Sequence, residues 1–112
     1  MDLEHRKLAR EQQVQVEADR LRRHADLAAA LLSASPDVRD AVIGEAKARV
    51  NRWREKLLCS EDFITRWDVI LALPVERLAE EIVSDCDGWG RALRQNTPFT
   101  LNGGPAAGLA LT

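Results

Sequence analysis

Thirty consecutive residues, from 3 to 32, contain neither glycine nor proline. Ala, Leu, Arg, Gln and Glu dominate the run, and all are good helix formers. As one helix it would be about 45 Å long. Within it, Val14, Ala18, Leu21, Ala25, Ala28 and Leu32 recur at alternating steps of four and three. That spacing makes a coiled-coil-type seam, with three small residues that allow close helix approach. Upstream the same steps fall on Glu11 and Lys7, so the packing stripe fades toward the N-terminus. Residues 1–13 therefore read as a projecting helical extension.

The rest of the chain also has helical periodicity and nowhere alternates with period two over a strand's length. "SASPD" ends the first helix: Ser35 suits a cap, Pro36 the first helical position, and Asp37 the positive helix end. The second helix is expected to reach about Leu58, with Val38, Val42, Ala46, Val50, Trp53 and Leu57 on one face. Two long helices joined so briefly make an antiparallel hairpin. Ser60 begins a third helix with Phe63, Ile64, Trp67, Ile70 and Leu71 inward. Pro74 begins a fourth that buries Val75, Leu78, Ala79, Ile82 and Val83. "SDCDG" interrupts it, and Asp85 or Asp87 caps a short fifth helix through "WGRALRQN". Thr97-Pro98 stops that one. The expectation is an all-α fold: a long antiparallel hairpin with three shorter helices packed on one end. Residues 1–99 form a single domain, and the small, uncharged stretch 100–112 a flexible tail.

Only five aromatic residues are present. Trp53, Phe63, Trp67 and Trp89 are expected to share one core, with Phe99 folding back to seal it. Trp89 lies between Gly88 and Gly90, which reads as a corner with a bulky anchor. A recognition element over residues 89–99 is the competing reading.

Composition narrows the function. At 112 residues, 46% apolar and 30% charged, the chain matches a soluble globular domain. No apolar run approaches a membrane span, and no signal peptide is evident at the charged N-terminus, so a cytoplasmic setting is expected. Cys59 and Cys86 are accordingly read as reduced. Thirteen of the sixteen basic residues are arginine, as GC-rich coding favours in a small bacterial-type protein. The net charge of −2 gives no overall field for nucleic acid, although residues 1–58 sum to +2 and 59–112 to −4.

Catalytic and metal chemistry find little footing. His5 and His24 lie nineteen residues apart on one helix, and neither cysteine has a histidine nearby in sequence. There is no HExxH, no GxSxG, no Gly-rich phosphate loop between a strand and a helix, and no calcium-loop pattern. The reading is therefore not an enzyme, with no cofactor, metal or small-molecule substrate. What remains is docking on another protein, with a homodimer as the simplest form. The candidate surface is Val14, Ala18, Leu21 and Ala25 on the first helix, together with Trp89, Arg91, Arg94, Gln95 and Phe99. The alternative is a DNA-binding regulator. It would use Lys47, Arg49, Arg52, Arg54 and Lys56 on the second helix, or the segment 91–96.

Overall fold

The computed structural model, which describes residues 2–101, is all-α. Helix α1 spans Asp2–Ser33, α2 Pro36–Lys56, α3 Glu61–Leu71, α4 Val75–Glu81 and α5 Gly90–Gln95; a 3-10 turn, Cys86–Gly88, precedes α5. The long hairpin of α1 and α2 carries the three shorter helices at one end. α1 alone would extend about 48 Å, close to the 53 Å longest dimension of the molecule.

The helix starts follow their sequence signals. Ser35 sits in extended conformation ahead of α2, with its hydroxyl 3.4 Å from the Val38 amide and Pro36 in the first turn. Ser60 and Pro74 take the corresponding positions before α3 and α4. Asp85 caps the 3-10 turn rather than α5, its carboxylate accepting from the Gly88 amide at 3.0 Å. The end of α2 departs from expectation. Leu57 turns into the left-handed region at φ 53°, its amide donating to the Trp53 carbonyl, and is 88% exposed rather than inward.

One core draws on every helix. Leu27 and Leu31 of α1 meet Val42, Ala46 and Val50 of α2, Ile64, Trp67 and Ile70 of α3, Leu78 of α4 and Leu93 of α5. The inward faces expected for α2, α3 and α4 are therefore present except at Leu57. The aromatic residues do not form one cluster, however. Trp67 packs edge-on against Phe99 at 6.0 Å, while Trp89 packs edge-on against Phe63 at 5.6 Å. Trp53, Phe63 and Trp89 border the core and are half-buried.

The arms of the hairpin find their closest neighbours elsewhere: α1 lies mainly along α4 and α5, and α2 along α3. The segment after α5 ties both arms. Trp67 donates its indole N–H to the Asn96 carbonyl at 2.9 Å, and the Thr97 hydroxyl lies 3.0 Å from His24 Nε2 on α1. Arg49 on α2 donates to the Pro98 carbonyl and the Thr100 hydroxyl, each at 2.8 Å. Thr100 and Leu101, expected in the tail, thus rest on the body; the remainder of the expected tail lies outside the described residues.

Candidate interaction surface

Helix α1 presents two apolar faces. The first carries His24, Leu27, Ala28 and Leu31, all buried against the body. The second is the seam read from the sequence, and except for Ala28 it faces solvent. Val14 is 65% exposed, Leu21 39% and Leu32 52%, and Ala18 and Ala25 are also exposed. The seam is therefore left free rather than packed on α2, and the reason is physical. Leu27 and Leu31 withdraw far more apolar area from water than Ala18 and Ala25 would, so they win the core. The buried stripe is displaced by about a quarter turn around the helix.

Residues 2–16 of α1 are exposed on all sides. The body begins at Glu17, whose carboxylate accepts from Gln13 at 3.1 Å and from Arg91 of α5 at 3.3 Å. The Gln13 bond, followed by the Arg91 guanidinium, holds the Glu17 carboxyl below its usual range. Arg91 otherwise projects into solvent, as does Gln95.

Two further docking candidates are corrected. Arg94 is 9% exposed and donates to the Ser84 carbonyl at 2.9 Å. Phe99 is 4% exposed against Trp67. Both belong to the interior: Arg94 reaches back from α5 to Ser84, and Phe99 is carried over the core where the chain turns at Thr97-Pro98. Trp89 is half-buried between Phe63 and the Arg66 guanidinium, which lies 4.1 Å from its ring, so it fastens α5 to α3. The neighbouring glycines have different roles. Gly88 takes φ 92°, following Cys86 and Asp87 at φ 48° and 56°. Gly90 allows close approach: a Cβ there would stand 2.3 Å from the Ser84 carbonyl oxygen. Its role is steric clearance.

The basic face of α2 is partly consumed by the fold. Arg49 is held by the C-terminal segment and by Glu45 at 3.3 Å. Arg54 is bonded to Asn51 and to Asp68 of α3. Lys47, Arg52 and Lys56 remain exposed. On α1, Arg22 pairs with Asp19 at 3.3 Å. The cations are thus interleaved with carboxylates, an arrangement that works against a phosphate-contacting surface.

The polar interior is structural in character. His24 is 0% exposed, with Nδ1 2.7 Å from the Arg20 carbonyl and Nε2 3.0 Å from the Thr97 hydroxyl. A carbonyl accepts only, so Nδ1 carries the proton and Nε2 accepts from Thr97. Burial lowers the His24 pKa, the Arg20 bond acts against this, and nearby Arg94 lowers it further. Cys86 lines a cleft of about 430 Å³ with Asp62, Arg66 and Glu81. Burial is the main cause raising its thiol pKa, which disfavours the nucleophilic thiolate. Cys59 and Cys86 are both free thiols. Among the described residues no three His, Cys, Asp or Glu side chains form a group that would hold a metal, and no helix is long and apolar enough to cross a membrane.

Sequence reading found the seam of α1 but missed what surrounds it. Arg66 over Trp89 and the Glu17–Arg91 link join residues far apart in the chain, and local spacing carries no signal of either. No family model, curated protein or solved structure matches this chain.

Proposed function

We propose that this protein is a non-catalytic interaction protein that works by docking a helix on the free face of α1, self-association being its simplest form. One observation carries the reading: Val14, Ala18, Leu21, Ala25 and Leu32 keep coiled-coil spacing yet lie in water. A seam that the protein's own core does not use, with small residues suited to close approach, is a surface suited to a partner helix. The projecting residues 2–16 add a reason. They have no body to lie against, and an isolated helix of that length is marginal in water. A cytoplasmic setting, in which Cys59 and Cys86 stay reduced, belongs to the same reading, as does a regulatory role exercised through binding.

The test is Ala25→Glu, which places a charge in the middle of an exposed seam and leaves the core untouched. Light scattering should show weaker association by about tenfold or more, the scale of one desolvated charge. Removal of residues 1–13 should weaken it less. If Ala25→Glu associates as well as the native chain, the seam is not the docking surface.

A further inference from the structure

We infer that the occupant of this face is the same face of a second copy, laid antiparallel, with Val14 against the second copy's Ala25 and Leu21 against its Ala18. The inference rests on the docking reading above and adds to it the partner, its direction and its register.

Charge sets the direction. The seam continues toward the N-terminus through Glu11, Lys7 and Glu4 at the same alternating steps. In a parallel, in-register pair each of these would face its own copy, carboxylate on carboxylate and ammonium on ammonium. Like charges at facing positions repel, and this arrangement would stack three such layers along the exposed half of α1. An antiparallel pair separates all of them.

Volume sets the register. Along the seam, large and small residues alternate as Val14, Ala18, Leu21 and Ala25. A parallel pair would place Leu21 on Leu21 and Ala18 on Ala18, crowding one layer and hollowing the next. Rotation about a point between residues 19 and 20 instead sets a large residue on an alanine in all four layers, which is how facing helices interdigitate. Ala18 and Ala25 then admit the branched side chains opposite them, and all four positions are exposed in the single chain.

The helix ends agree with this register. The first turn of α1 holds Asp2 and Glu4, and its last turn holds no basic residue. In the proposed pair Arg6 and Lys7 lie beside residues 33 and 32 of the second copy, supplying positive charge at its carbonyl end. The Lys7 stem covers Leu32, with its ammonium left in water. Residues 7–32 are then shared, about 39 Å of helix. A shorter antiparallel overlap about residue 9 would pair Lys7 with Glu11 twice. It would also set Val14 against Glu4 and leave Leu21 and Leu32 exposed; since exposed ion pairs contribute little, the apolar register prevails.

Disulfide trapping tests the geometry. Val14→Cys and Ala25→Cys chains, one carrying a mass tag, are mixed in a glutathione redox buffer and their crosslinks identified by mass spectrometry, with the native chain as background for Cys59 and Cys86. In the proposed pair, positions 14 and 25 are adjacent. The two copies of position 14 would lie about 16 Å apart along the axis, far beyond disulfide reach. The expected result is a mixed 14–25 crosslink exceeding either self-crosslink by about tenfold or more. Dominant 14–14 crosslinks would overturn the antiparallel direction while leaving self-docking in place. A doubled sedimentation mass with no crosslink would move the dimer to another surface and overturn the register. A single-chain mass with no crosslink would remove the second copy as occupant altogether.

Discussion

Trp67 is 1% exposed, meets Phe99 edge-on, and donates its indole N–H to the Asn96 carbonyl just past the end of α5. Truncation to alanine removes a large apolar surface, an aromatic pair and a hydrogen bond at one point. Trp67→Ala should therefore lower stability by about 3–5 kcal/mol, a large share of the ~5–15 kcal/mol of an ordinary domain. Urea denaturation measures this, and an unchanged midpoint would contradict the assignment of α3's inner face. His24 lies beside the same C-terminal segment. Its folded pKa is lowered chiefly by burial. The folded state therefore binds fewer protons than the unfolded chain, whose histidine titrates near 6.5, at about its reference value. The stability linked to neutral His24 is fully present above that pH and is lost as pH falls below it toward the folded pKa. Denaturation midpoints should drop between pH 7.5 and 5.5, about one unit either side of that value, and a His24→Gln variant should show a flatter profile. Equal slopes in the two proteins would show that His24 does not carry the effect.

At the scale of elements, local chemistry was readable and partner choice was not. Ser35-Pro36, Ser60 and Pro74 announced the starts of α2, α3 and α4 because caps act within one turn of the backbone. The end of α2 gave no such signal: the left-handed residue is Leu57, where glycine is usual. The turn before α5 was similarly hidden, since its positive φ values fall on Cys86 and Asp87 as well as Gly88. The fit at Gly90 depends on Ser84, which a spacing argument cannot place. Gly90→Ala should push α5 off its seat and cost about 1–3 kcal/mol, the usual range for overpacking. A thermal melt of that variant matching the native chain would show that the turn yields without loss. For α1 the spacing argument picked out one apolar stripe, through Val14 and Leu21, and passed over a second, through Leu27 and Leu31. The core takes the second, because only the folded body decides which stripe finds neighbours.

Across the whole molecule, these choices leave a body tied at both arms by residues 96–101 and a helix that runs beyond it. The all-α class followed from periodicity and the absence of strand patterning, both properties of neighbouring residues. The candidate docking surface was half readable. Val14, Ala18, Leu21 and Ala25 were grouped by spacing and lie exposed, whereas Arg94 and Phe99 resembled contact residues by type and are buried, Arg94 against Ser84 and Phe99 against Trp67. Arg49 and Arg54 likewise resembled a basic face, but the chain spends them on Pro98, Thr100, Glu45, Asn51 and Asp68. In the proposed reading, the free face of α1 is the surface on which two copies meet. Sedimentation equilibrium of the native chain over a range of micromolar concentrations tests it most directly. The predicted result is a mass that rises from 12.5 kDa toward twice that value with concentration. A mass of 12.5 kDa at every concentration would contradict it.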